Sequence, residues 1–338
     1  MSTLARPEGA LSTRPEGAGP EARFSLSRRG FLGAAAGVGA GAAVGSGLSV
    51  PASAAVPSLF PGHDVNKIFL GLTGGGMSIA PRLGGPIGMR RTFYTWSKVS
   101  SEVRAAQTDH AAGRIPWVSF KPPGATPGSW QAIASGRYDA DIRARARAYA
   151  TLSKPIVATF NHEPHTDNGP GTDWAKAWVR VHDIMKAETN LKNVLSAPIG
   201  GEWVFNPTNR EDDPEDYLTP AVLSRMHFLG IDLYQNSSGE TYAVRLGRII
   251  TWLNNQGYSN KMVGLGETGC TDDFGSPSGA TWWTNSWNYA VSSKRVFGIA
   301  YYHSNRNNEI GRNWFLDQST AKLNAFKASV ASASAARL

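Results

Sequence analysis

Ile156-Val157-Ala158-Thr159-Phe160-Asn161-His162-Glu163-Pro164 is a run of strand-forming residues that ends in a glutamate. Val263-Gly264-Leu265-Gly266-Glu267-Thr268-Gly269 repeats that arrangement about a hundred residues later. Side chains alternate across a strand, so Val157, Thr159 and Asn161 share parity with Glu163, and Val263 and Leu265 share it with Glu267. Each carboxylate is therefore expected on the face to which those residues point. Pro164 cannot donate to a ladder, which places the end of the first strand at about that residue. Two acids at the carboxyl ends of two distant strands are what a barrel enzyme needs to work on glycosidic bonds.

Outward from these two runs, the chain alternates extended and helical patterns. Strands are expected at Lys67–Leu72, Gly88–Trp96, Ile115–Lys121, Pro155–Asn161, Val194–Ile199, Phe228–Tyr234, Met262–Gly266 and Val296–Tyr302. Helical spacing of apolar residues predicts helices over Lys98–Ala112, Ala140–Leu152, Asp173–Glu188, Tyr242–Asn255, Thr281–Lys294 and Thr320–Ala331. Thr219–Arg225 reads as a shorter helix with Pro220 at its start, a favoured position for proline. Glu202–Asp216 is a polar insertion. Eight strands separated by helices within this length imply an α/β fold, a (β/α)8 TIM barrel, as one catalytic domain over 62–335.

Residues 1–55 read as a targeting segment. Ser27-Arg28-Arg29-Gly30-Phe31-Leu32 is a twin-arginine pair before a mild apolar run, Gly30–Leu48, and Ala52-Ser53-Ala54 suits signal-peptidase cleavage. The run is long enough to span a bilayer, but it is mostly Ala and Gly, so secretion is expected and a stable membrane anchor is not. A lipid anchor would need a cysteine near the cleavage site, and the sole cysteine is Cys270, read as a small buried filler. With one cysteine no intramolecular disulfide forms, so the fold must stand on its core. The net charge is +8, of which five Arg against three Glu lie before residue 56. The remaining basic residues are scattered, which argues against a nucleic-acid partner. Eleven Trp and ten Tyr supply flat surfaces that suit sugar rings and equally suit packing. The chain is expected to be a monomer that needs no cofactor.

If the strands lie in a closed ring, the fourth and seventh face each other across its mouth. Hydrolysis of a glycoside needs one carboxyl group that donates a proton and one that is ionised. Glu163 is the candidate acid/base, because Asn161, His162 and Pro164 crowd it and raise its pKa. Glu267 is the candidate nucleophile, set between Gly266 and Gly269 where substrate can approach. A metal site at His162, Glu163 and His165 is not expected, since the zinc-protease pattern needs two histidines four apart on a helix. Asp232 is read either as a sugar ligand or as a buried acid paired with an Arg or Lys. Tyr302 and His303 either line a sugar subsite or plug the barrel. Trp282 is held as a stacking platform, while Trp283 and Trp287 pack in a helix. Glu211, Asp212 and Asp213 read as a solvated loop face, and Asn236-Ser237-Ser238 matches the glycosylation triplet.

Several of these residues carry a family resemblance. Phe160-Asn161-His162-Glu163-Pro164 resembles the acid/base motif of clan-A glycoside hydrolases, and His directly before Glu is similar to family 26. Leu229-Gly230-Ile231-Asp232-Leu233-Tyr234 resembles that family's sixth-strand segment, and Gly266-Glu267-Thr268-Gly269 its nucleophile strand. Trp130 to Asp139 resembles a segment of bacterial members. The resemblance implies a retaining endohydrolase of a β-linked polysaccharide, mannan-type first, with β-glucan or xylan next. It further implies that Tyr234 bonds to the nucleophile and that His162 supports the acid/base or the substrate. Asn161, Asp232, Tyr302, His303 and Trp282 complete the expected substrate-binding set. Two stretches depart from the family: His165–Pro170 replaces a tryptophan-rich run, and the last strand ends in Tyr301-Tyr302-His303. The competing class is a catalytically silent barrel that binds glycan at the cell surface; it does not require both carboxylates.

Overall fold

Nine short parallel strand segments, most of them β-branched and aromatic, order themselves as a ring in the computed structural model, which describes residues 55–125, 128–167, 169–209, 212–236, 239–305 and 312–338. They are β1 (Phe69–Thr73), β2 (Met89–Tyr94), β3 (Ile115–Phe120), β4 (Ile156–Phe160), β5 (Val194–Ser196), β6 (Ile199–Gly201), β7 (Phe228–Tyr234), β8 (Met262–Gly269) and β9 (Val296–Tyr301). β5 pairs with β4 and β6 pairs with β7, and only Ala197 and Pro198 separate the two segments. Pro198 has no N–H to donate, which interrupts the ladder there. Its carbonyl still accepts from Gly230 N at 2.8 Å, and Ala197 N donates to Ala158 O at 3.2 Å. β5 and β6 are thus the two halves of one stave, and the ring closes as an eight-staved (β/α)8 barrel.

The helices cover the outside: α1 (Val99–Ala111), α2 (Gly128–Ala134), α3 (Asp139–Ala150), α4 (Gly171–Thr189), α5 (Pro214–Tyr217), α6 (Pro220–Arg225), α7 (Tyr242–Asn255), α8 (Gly279–Ser293) and α9 (Thr320–Val330). Between β1 and β2 the crossover is a 3-10 segment, Gly74–Arg82, rather than an α-helix. The polar insertion after β6 holds a 3-10 turn, Glu202–Phe205, and the single turn α5, where the Glu215 amide donates to the Asp213 side chain. No helix among the described residues is long and apolar enough to cross a membrane. The twin-arginine segment lies outside the described residues, as do Glu211 and most of the Asn236 triplet.

Two cores form, one on each face of the ring. Phe69, Met89, Trp117, Val157, Phe228 and Met262 fill the inside, and Leu265, Val263, Trp174 and Ile249 belong to the layer between sheet and helices. That division corrects the parity argument for the second glutamate. Val263 and Leu265 point outward, so strict alternation would send Glu267 to the helix side. Instead the register of β8 against β7 slips by one residue: Ile231 faces Leu265, but Asp232 faces Glu267. The extra residue, Gly266, forms a bulge that turns Glu267 inward. The strand also runs three residues past its expected end, so Glu267 belongs to the strand and not to the loop behind it.

Candidate active site

Val157 packs inside the ring, and Thr159 accepts a 2.8 Å hydrogen bond from Trp117 Nε1, so the inward face of β4 agrees with the sequence parity. Beyond Phe160 the chain leaves the strand through two left-handed residues, Asn161 (φ 44°) and Glu163 (φ 49°). Such φ values are uncommon for side chains other than Gly, Asn and Asp, and cost on the order of 1–3 kcal/mol each. Neighbouring staves hold the kink: Asn161 N donates to Phe120 O at 3.0 Å and Glu163 N to Ile199 O at 2.9 Å. The Asn161 side chain, fully buried, donates to Asp167 Oδ2 at 2.9 Å. Lys121, just after β3, reaches the same Asp167 carboxylate at 3.2 Å. Glu163 stands half-buried within this frame, close against the end of β6.

Glu267 sits three staves away, on β8. Tyr234 Oη donates to Glu267 Oε2 at 2.5 Å. The tyrosine ring is wedged between Trp314 at 5.1 Å and Tyr302 at 6.0 Å, and Arg245 donates to its backbone carbonyl. Between the two glutamates, on β2, lies Arg91, with no exposed surface. Its Nη1 pairs with Asp232 Oδ1 at 2.8 Å and lies 3.8 Å from Glu267 Oε1. Its guanidinium also stacks over Phe93 at 4.8 Å.

These contacts set the charge states. Burial first, and then the charge of Glu267, push the Glu163 carboxyl up to about 7, against the opposing pull of Arg91 and Lys121. Burial also drives Asp232 well above the usual carboxylate range, opposed by Arg91. Burial pulls the Arg91 pKa down, but Asp232 and Glu267 outweigh it and the guanidinium is held more firmly charged. His162 falls well below its usual value through burial and the nearby Lys121 and Arg91, so it is neutral. Near neutral pH the mouth therefore offers one carboxyl that can give up a proton and a second that accepts a hydrogen bond from a tyrosine, an arrangement suited to acid/base and nucleophilic chemistry.

A methyl group at position 266 has no space in this arrangement: a Cβ there would stand 2.2 Å from Arg91 Nη1 and 2.7 Å from Asp232 Oδ1. Gly266→Ala is expected to push Arg91 and Asp232 apart and to lower stability by about 1–3 kcal/mol, the cost of forcing a methyl group into a filled interior. Urea unfolding at neutral pH measures this loss; an unchanged midpoint would mean that the bulge does not hold the pair.

Of the residues singled out in the sequence, Glu163, Glu267, Tyr234, Asp232, Asn161 and His162 come together at this mouth, and Tyr302 flanks Tyr234. Asp232 takes the second of its two readings, a buried acid paired with arginine. His162 packs against Phe93 at 5.3 Å. His303 is buried, and its Nδ1 accepts from Leu316 N at 2.9 Å, which gives it a role in holding the chain after the last strand. Trp282 lies apart from the mouth: it is 4% exposed and packs edge-on against Tyr242 between α7 and α8. Its face is not open to a sugar. Arg91, Lys121, Asp167 and Trp314 escaped the sequence reading. Arg91 had a signal, because it shares parity with Met89 on β2, and a charge on an inward strand position calls for a buried partner. Among the described residues no three His, Cys, Asp or Glu side chains gather as metal ligands.

No protein-family model matches the chain, and no curated protein matches it either. Solved structures do. A GH26 β-mannanase from Bacteroides ovatus, BoMan26A, superposes with a TM-score of 0.57 at 16% identity, over 80% of this chain and 90% of that one. GH26C from a Muricauda species gives 0.54 at 12% identity, over 81% and 88%. A glucosidase from Croceicoccus marinus gives 0.56 at 11% identity, over 81% and 69%. At such identities the likeness establishes the (β/α)8 fold.

Proposed function

We propose that the chain is a glycoside hydrolase that cleaves a β-linked polysaccharide by double displacement, endo-acting and mannan-type in the first instance. The observation that carries this reading is the pairing of Glu163, with its carboxyl pushed up to about 7, and Glu267, bonded to Tyr234, on staves three apart around one mouth. Glu163 protonates the oxygen of the departing sugar while Glu267 attacks the anomeric carbon, giving a glycosyl ester. Glu163, now ionised, takes a proton from water, and that water displaces Glu267 from the same carbon. Two changes of face leave the anomeric configuration as it began. The β-mannanase and the other glycosidases among the structural neighbours support this class. Residues 1–55 suit export through the twin-arginine route, and export after folding fits a chain with one buried cysteine.

The deciding experiment is reducing-end release from mannan, mixed-linkage glucan and xylan, with the first product's anomeric form read by proton NMR. Release with retention is the expected result. Binding without release from any of the three points instead to a silent glycan-binding barrel, and inversion removes Glu267 as the nucleophile.

Tyr234→Phe deletes one hydrogen bond to a charged oxygen, a contact of about 1.5–3 kcal/mol. The turnover number should fall about 10- to 150-fold while KM changes little, because the bond steers the attacking carboxylate rather than the sugar. An equal rise in KM would place Tyr234 in ground-state binding.

A further inference from the structure

At the end of the barrel opposite the acids, a cavity of about 280 Å³ opens between the C-terminal half of α4 and the residues that enter β7 and β8. Its walls carry His182, Lys186, Arg225, His227, Asn260 and Lys261, together with Pro57 to Leu59, and no acidic side chain lines it. Asp183, on the same helix as His182 and Lys186, is occupied by Arg225, with contacts of 2.8 and 3.2 Å. No carboxylate among the described residues pairs with Lys186 or Lys261, and close cations repel in a partly buried setting.

Two histidines carry the rest of the case. His182 is 4% exposed, and its Nδ1 has no hydrogen-bond partner among the described residues. A buried polar nitrogen left without a partner is rare and costs stability unless something meets it. His227 lies 6.5 Å away, ring to ring, and its Nδ1 is already used by Ser196 N at 3.0 Å. Burial, reinforced by the surrounding cations, pulls both histidines down to about 4. Lys261, half-buried, spends one proton on Met226 O at 2.7 Å and retains two others.

We infer that this cavity is an anion site for a phosphate monoester, seated by Lys186 and Lys261 with His182 as a hydrogen-bonding partner, while Arg225 is held in its wall by Asp183 and Ala221 O. A dianion fits better than a carboxylate because two lysines converge here and the acid beside them, Asp183, is already bound by Arg225. The volume is near the lower end of those that hold small organic ligands, so it has room for a short polyol or sugar beside the phosphate group. The site stands at the amino-terminal ends of the strands, remote from Glu163 and Glu267, so its occupant neither reacts nor blocks the mouth.

Calorimetric titration of the full chain with inorganic phosphate, glycerol 3-phosphate and acetate, at one ionic strength, tests this. Both phosphates should bind in the millimolar range or tighter and raise the melting temperature with concentration. A tighter grip on glycerol 3-phosphate than on inorganic phosphate supports an ester as the ligand, and equal affinities overturn the ester in favour of free phosphate. The Lys186→Gln and Lys261→Gln variants should each bind about tenfold more weakly, as expected for losing one charge-assisted contact. Lys186 is exposed, so its replacement leaves the fold intact. Phosphate should also move the His182 and His227 ring resonances and raise their titration midpoints, while hydrolysis by both variants stays at the parent rate. No binding at tens of millimolar phosphate, acetate binding as well as phosphate, or variants that bind like the parent would each overturn the assignment.

Discussion

Glu267→Ala is expected to reduce hydrolysis on the order of 10⁵-fold, because the carboxylate that forms the covalent intermediate is gone. Binding of the glycan should persist, since the aromatic walls of the mouth and the Arg91–Asp232 pair lie on other staves. Small anions can then enter the space left by the side chain. Azide should restore measurable turnover of an activated aryl glycoside and yield a glycosyl azide of inverted configuration, because only one displacement now occurs. Kinetics with and without azide, followed by NMR of the product, check both halves. Full activity in the variant, or an azide product with retained configuration, removes Glu267 from the chemistry.

The second large effect belongs to Glu163. Glu163→Gln should lower kcat/KM about 10²- to 10⁴-fold on polysaccharides, whose leaving oxygen needs a proton. Aryl glycosides with acidic phenols, which leave unaided, should lose far less in the first step. In the parent enzyme, activity should decline about tenfold per pH unit above the Glu163 value of about 7, as the acid loses its proton. The glutamine variant should lack that alkaline limb. A stability effect accompanies it, with a definite sign. A carboxyl whose native pKa is raised from 4.5 to about 7 keeps its proton to higher pH in the folded than in the unfolded chain. Stability therefore falls as pH rises from 4.5 to about 7, and the full penalty is present above that. Removing the ionisable group lifts the penalty, so Glu163→Gln should be more stable than the parent at pH ~8, by about 3 kcal/mol at ~1.4 kcal/mol per pKa unit. Urea denaturation at acid and alkaline pH measures the difference; equal gains at both would mean that packing, and not charge, is responsible.

Periodicity and turn chemistry were enough for the fold. β7 and α7 stand at their expected bounds, Phe228–Tyr234 and Tyr242–Asn255, because local patterns decide where a strand or a helix can bury its apolar side. The missing first helix was legible only as the lack of a helical pattern between Lys67–Leu72 and Gly88–Trp96, and α5 not at all. The candidate acids were also legible, because two glutamates close two strand-forming runs a hundred residues apart, whereas one alone reads more readily as a helix cap or a loop ion pair. What alternation could not reach was the direction of Glu267. Its parity follows Val263 and Leu265, which face the helices, and it points inward only because Gly266 bulges where β7 and β8 slip by one residue.

The sequence by itself thus determined the barrel, its order of elements and the two candidate glutamates, all of which follow from local pattern, although Glu163 lies three residues beyond β4 and Glu267 within β8. The tertiary structure alone decided the charges: Arg91 meets Asp232 from 141 positions away, Lys121 meets Asp167, and the proton on Glu163 depends on both cations and on Glu267. A pKa is a sum over neighbours in space and over the water they exclude, and no spacing along the chain encodes that sum.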